Sequence, residues 1–237
     1  MNFVFVPGAW HGGWSWYAVG HRVLAAGHRA LALTLPGLAM GDDLAGLRLS
    51  DAVDHIVKEL ERRDLHDVVL VGHSFAGIPM CAAAVPLAGR LREIVFYGAF
   101  IPRWGESMAD AMGAETSAYL HAVIGSSPDG SFGLDFESFQ DRLMQDEPET
   151  LQRLVYDQLV PQPGGYMLDA PDSDGDTVRD LGISVAYVLA EHDRGLAAPG
   201  AELAARVGVT PVTVPGTHEA QLTHPDDVAS AILGALN

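Results

Sequence analysis

Three side chains of this sequence, Ser74, Asp193 and His218, have the types and the chain order needed for nucleophilic catalysis at a carbonyl. A serine hydroxyl is a weak nucleophile at neutral pH, so it needs a base to take its proton and a carboxylate to hold that base in one tautomer. Ser74 stands in Gly72-His73-Ser74-Phe75-Ala76-Gly77, directly after the apolar run 68–71. Strand, sharp turn and helix in that order would strain the serine backbone and push its hydroxyl above the sheet edge, with small neighbours letting strand and helix pass closely. Ala76 stands where the strict GxSxG spelling has glycine. The assignment therefore rests on the strand-turn-helix context, because similar letters also spell an ordinary turn in a glycine-rich chain.

The base and the acid belong at the carboxyl ends of later strands, where the loops of an open parallel sheet converge. Asp193 follows an apolar run ending at Ala190, and His218 follows one ending near Val214. The order Ser, Asp, His is the one found in hydrolases built on a nucleophile elbow. Asp193 is preferred to Glu191, which the pattern leaves on the strand end. Of the ten histidines, His21, His28, His55, His66 and His121 fall within helix or strand patterns and read as ordinary surface or partly buried residues. His73 is expected to pack behind the turn, His192 to point away from Asp193, and His224 to start a helix. His11, in the loop after the first strand, stays a candidate for substrate contact. A developing oxyanion needs backbone donors, and the N–H groups of Phe75 and Ala9 are the candidates. Trp10, Trp104 and Met108 complete the candidate substrate contacts.

These residues have to be positioned by the elements between them. Residues 2–6, 28–34, 68–71, 92–97, 183–190 and 210–214 read as short strands, and amphipathic or small-residue helical stretches alternate with them. Ser50 is a good N-cap, with Val53, Ile56, Val57 and Leu60 on one helical face behind it. The last helix is expected to be capped near Thr223, with Pro225 in its first turn. The alternation predicts an α/β fold, a doubly wound and mostly parallel sheet with helices on both faces. The rhythm breaks between 103 and 176. There Phe136, Phe139 and Leu143 mark one short helix face, and Leu151, Leu154, Val155 and Leu159 mark another that begins at Pro148. We read 1–102 and 177–237 as the core and 103–176 as a helical cap insertion, well placed to cover something.

Composition bounds the partners. With 31 acidic against 14 basic residues the formal net charge is −17, which opposes phosphate backbones and anionic lipid surfaces. Neither nucleic acid nor a membrane is an expected partner. No signal-like leader or membrane-spanning apolar run is present, so a cytoplasmic location is the default expectation. The lone cysteine, Cys81, lies in an apolar run and excludes an internal disulfide or a multi-cysteine zinc cluster. No phosphate-cradling glycine loop or dinucleotide fingerprint is found. The sequence does not reveal the oligomeric state.

Four separated motifs, Phe5-Val6-Pro7-Gly8-Ala9-Trp10-His11-Gly12-Gly13-Trp14, the 72–77 turn, Glu191-His192-Asp193 and Pro215-Gly216-Thr217-His218, occur in order. Together they resemble the α/β-hydrolase superfamily, and within it are most similar to the branch of plant methylesterases and hydroxynitrile lyases with their bacterial esterase relatives. The resemblance implies a core sheet that starts directly with the first strand and a helical cap over the serine. In the lyase members it implies a threonine in the first loop and a lysine after the catalytic histidine. Gly8 and Glu219 stand there instead, and a carboxylate beside the histidine would repel a cyanide leaving group. Pro7-Gly8 also replaces the family's usual His-Gly pair.

The resulting expectation is a cofactor-independent and metal-independent serine hydrolase acting on a small, largely apolar ester or lactone. Two rivals remain. One keeps the triad but runs a lyase, C–C hydrolase or biosynthetic tailoring reaction; the other is a ligand-binding protein that retains the elbow without turnover.

Overall fold

The strands are apolar on both faces, and the two faces feed two separate cores. In β1 (Asn2–Val6), Phe3 and Phe5 join one core while Val4 and Val6 join the other. A computed structural model describes residues 1–236; residue 237, the last of the expected core, lies outside the described residues. After β1 come α1 (Tyr17–Ala25), β2 (Arg29–Ala32), α2 (Leu49–Arg62), β3 (Val68–His73), α3 (Gly77–Leu87) and β4 (Leu91–Tyr97). The stretch that follows holds α4 (Met108–Ala111), α5 (Ala114–Ser126), β5 (Ser131–Phe132), α6 (Phe136–Arg142), α7 (Glu149–Tyr156), β6 (Gln162–Pro163), α8 (Gly164–Leu168) and α9 (Gly175–Asp180). The chain ends with β7 (Ser184–Ala190), α10 (Gly200–Arg206), β8 (Val212–Val214), α11 (Ala220–Thr223) and α12 (Pro225–Gly234).

Six strands pair in the order β2-β1-β3-β4-β7-β8, and every pairing in that sheet is parallel. The sheet is doubly wound. Phe3, Phe5, Val69, Val71, Val95 and Val188 face α1 and α12 on one side. Val4, Leu70, Ile94, Phe96 and Tyr187 face α2, α3 and α10 on the other. Such double burial explains why β3 reads as an unbroken apolar run. The Trp16 indole N–H reaches the Val6 carbonyl at 3.0 Å, so the one polar atom of that buried ring is satisfied.

Two expectations need correction. Helix α2 begins at Leu49, with Arg48 rather than Ser50 as its cap. Asp51 accepts the Arg48 N–H at 2.8 Å and Asp169, far along the chain, accepts the Leu49 N–H at 3.1 Å, so carboxylates do the work assigned to the serine. The last helix starts as expected, with His224 beside Thr223 as its N-cap and Pro225 in its first turn. In α7 the buried face is Gln152 and Val155, while Leu154 is 63% exposed. Leu151 and Leu159 pack against the cluster that holds Val155, as expected, so Leu154 alone leaves the face, and Gln152 takes a buried place, donating to the Met144 carbonyl at 2.8 Å.

Between β4 and β7 the chain divides its apolar residues. Met108, Leu120, Ile124, Tyr166 and Met167 extend the larger sheet core, whereas Phe139, Leu143, Met144 and Val155 form a small cluster of their own. The short antiparallel pair β5 and β6 ties the two parts together. Among the described residues no helix is long and apolar enough to cross a membrane.

Ile56 is fully buried in the larger core. Ile56→Ala should therefore cost about 2–5 kcal/mol, read as a lower denaturant midpoint with an unchanged slope.

Candidate active site

The turn after β3 is built around one strained residue. Ser74 has a φ of 53°, a left-handed conformation that a residue with a side chain adopts only when its surroundings enforce it. A 3-10 turn over Ser74–Ala76 then feeds α3. The Phe100 N–H holds the Ser74 carbonyl at 3.0 Å. A Cβ at position 77 would overlap the Phe100 carbonyl, and one at position 72 would overlap the Met80 sulfur and lie 3.0 Å from the Ala76 Cβ. Gly72 and Gly77 thus supply the clearance. Ala76 is accommodated in place of a glycine because position 72 has no side chain to meet it.

The loop after β1 presses against this turn. A Cβ on Gly8 would come within 3.2 Å of the Ser74 Cβ. Residues 8–11 form a tight turn in which the His11 N–H donates to the Gly8 carbonyl at 3.3 Å and Trp10 takes a φ of 65°. The two strands that deliver these loops are neighbours in register, Val6 opposite Gly72. Ala9 and Ser74 both line one cavity of about 270 Å³. The Phe75 N–H lies in the first helical turn, where amide donors have no intrahelical acceptor.

His218 and Asp193 meet at the other side of the same site. His218 Nδ1–H faces both carboxylate oxygens of Asp193 at 2.9 Å, and the two side chains are only 2% and 3% exposed. Two glycines make the room. Gly98, with a φ of 47°, would carry a Cβ 2.8 Å from Asp193 Oδ2, and Gly195 lies flat against the imidazole, where a Cβ would come within 2.5 Å of the ring. The Gly195 N–H also donates to Asp193 Oδ1 at 2.8 Å. Burial is the largest influence on the His218 pKa and lowers it, but the charge of Asp193 and its hydrogen bond together leave the pKa above the ordinary imidazole value. Asp193 therefore fixes the ring and favours its protonated form.

The other expected residues divide. Trp10, His11 and Met108 line the cavity with Ser74 and His218. Trp104 does not; it is 72% exposed on the surface, because the chain turns away from the cavity before α4 begins. Sequence reasoning did not single out Gly98, Gly195, Arg142 or Gln162 for the site. Gln162 carried the only visible signal, a lone amide followed by Pro and two Gly; it is fully buried and accepts the Trp10 N–H at 2.8 Å.

Among the described residues, His73, His218 and Glu219 form the one grouping with ligand atoms close enough for a metal, within 4.8 Å. One nitrogen of each imidazole is already engaged. His218 Nδ1 faces Asp193, and His73 Nε2–H donates to the His218 carbonyl at 3.1 Å. Burial above all, with the nearby His218 and His11, pushes the His73 pKa well below the usual imidazole range. The set fits a buried hydrogen-bonded network better than an ion.

The sequence matches a family described as "Alpha/beta hydrolase family" over residues 3–231. It is 37% identical over 109 residues to a carbendazim hydrolyzing esterase from Nocardioides sp. (strain SG-4G), covering 45% of each chain. It is 30% identical over 145 residues to Methylesterase 2 of Arabidopsis thaliana, covering 59% of this chain and 52% of that one. The chain thus spans about half the length of the curated relatives it matches. A solved extracellular alpha/beta-hydrolase from a Paenibacillus species superposes with a TM-score of 0.90 at 22% identity, covering 100% of this chain and 99% of the other. At that identity the likeness speaks for the fold.

Asp193→Asn removes the charge that raises the His218 pKa while burial stays. The ring should then titrate below 6.5, the unperturbed value, and not above it, as followed by NMR of the imidazole. Gly195→Ala should displace the ring and broaden or shift the same signals.

Proposed function

This chain belongs to the alpha/beta hydrolase family, and from that premise we propose that it is a serine hydrolase cleaving a small, largely apolar carboxylic ester or lactone. The observation that carries the proposal is the buried His218–Asp193 pair, 2.9 Å apart, on the cavity that Ser74 also lines. In this scheme His218 Nε2 takes the Ser74 proton as Oγ attacks the carbonyl carbon, and Asp193 stabilises the imidazolium that forms. The N–H groups of Ala9 and Phe75 receive the oxyanion. Collapse expels the alkoxide, which takes the proton from His218, and leaves an acyl group on Ser74. Water, deprotonated by the same imidazole, then releases the acid and restores the serine. No step draws on a cofactor or a metal.

Substrate size and polarity follow from the walls. A cavity of about 270 Å³ suits a small molecule, and Met108, Leu120, Phe132 and Leu143 line it from the 103–176 stretch. We assign that stretch as a cap over the reacting centre. Esterase names among the relatives, carbendazim hydrolyzing esterase and methylesterase, support ester chemistry. Glu219, buried and on the cavity wall, disfavours the lyase alternative, because a carboxylate there opposes an anionic leaving group.

The test is labelling with a fluorophosphonate probe together with 4-nitrophenyl acetate turnover. Wild type should label and turn over, and Ser74→Ala should lose both, with turnover down at least about 10³-fold. Labelling without turnover would favour the lyase, C–C hydrolase or tailoring chemistry, and neither would favour a binding protein. The base must be neutral to accept a proton, so activity should fall as pH drops through the His218 pKa. That acid limb should lie above 6.5, the value of an unperturbed imidazole.

A further inference from the structure

We propose that His11 is a positioning residue for the loop that presents the Ala9 N–H, clamping the Ala9 carbonyl beside a buried cluster of polar side chains that reaches the backbone of His218. The proposal deepens the ester-hydrolase reading and rests on it. It starts from the turn over residues 8–11. In a trans peptide the C=O and N–H point in opposite directions, so the His11 N–H bond to the Gly8 carbonyl, 3.3 Å, directs the Ala9 N–H outward. That single bond is long. The next peptide plane is held on both of its sides: its carbonyl, Ala9 O, lies 2.7 Å from His11 Nδ1, and its N–H, that of Trp10, meets Gln162 Oε1 at 2.8 Å. A carbonyl can only accept, so His11 Nδ1 carries the proton. The imidazole is therefore a clamp on the carbonyl of the very residue whose amide is the proposed oxyanion donor.

The far side of the ring lies against buried groups that the proposed reaction does not use. His11 Nε2 has no hydrogen-bond partner among the described residues and lies 3.5 Å from Glu219 Oε2, with both side chains at most 1% exposed. Glu219 Oε2 accepts from Gln221 Nε2 at 2.6 Å. The same amide nitrogen reaches His73 Nδ1 at 3.5 Å, and His73 Nε2–H donates to the His218 carbonyl at 3.1 Å. His73 as a neutral ring has one donor and one acceptor nitrogen, which is what its two neighbours require. The cluster thus lies between the loop after β1 and the backbone of the proposed base. These contacts set the loop after β1 and the proposed base against one buried polar cluster.

The experiment compares His11→Ala with His11→Asn, whose side-chain amide can replace the Nδ1–H donor to Ala9 but not the contact with Glu219. With 4-nitrophenyl acetate, His11→Ala should lower kcat about 10²-fold, the loss expected for one oxyanion donor, with KM within threefold. His11→Asn should recover to within tenfold of wild type. Hydrogen exchange at residues 9–11 gives a readout that does not need catalysis: it should rise in His11→Ala and stay close to wild type in His11→Asn. A rise in KM with kcat unchanged would make His11 a substrate contact and overturn the proposal. So would a His11→Ala kcat within threefold of wild type, an Asn variant no better than the Ala variant, or loop exchange unchanged by either substitution. A wild type that neither labels nor turns over esters, yet shows the exchange pattern, would sink the hydrolase reading and leave the clamp standing.

Discussion

The site depends on a buried pair that neither partner could sustain alone. An imidazole and a carboxylate, each almost fully removed from solvent, would resist burial if unpaired. Set 2.9 Å apart, they stabilise one another, and the carboxylate dictates which ring nitrogen holds the proton. Backbone shape supplies the space: Gly98 bends in the left-handed region, and Gly195 offers the ring a flat neighbour. The amide of Gly195 adds a second donor to Asp193. With one ring nitrogen occupied, the other is left for the proposed proton transfer.

A second constraint is the register of β1 against β3. Because the two strands are parallel neighbours with Val6 beside Gly72, the loops leaving their carboxyl ends must emerge side by side. Tight packing then does the rest. The glycines at 8, 72 and 77 let a loop, a strained serine and a helix start share a space that Cβ atoms would fill. Strain at Ser74 is affordable only because neighbours on every side prevent relaxation.

Most of this was legible in the sequence. The apolar strand before Ser74, the order of serine, acid and histidine, and the alternation of strands and helices all follow from local pattern, because a doubly buried parallel strand has a distinctive composition. What stayed hidden depends on distant contacts. Asp169 capping α2 lies far from it in sequence. Gln152 is buried while Leu154 is in solvent, which periodicity cannot foresee, because the inward amide answers a carbonyl at Met144. Trp104 looked like a pocket residue by type, yet type says nothing of which way an irregular segment turns. Glycines 98 and 195 have no side chain to signal a role, and only the neighbours of their missing Cβ atoms reveal it.

The sheet's outer strand carries a further implication. His218 hangs from β8, three residues long and paired on one side only, while Ser74 follows the central, fully buried β3. Sheet margins fray before their middles. Warming should therefore withdraw the imidazole while the serine still sits in its strained turn, and the proposed turnover would cease ahead of collective melting.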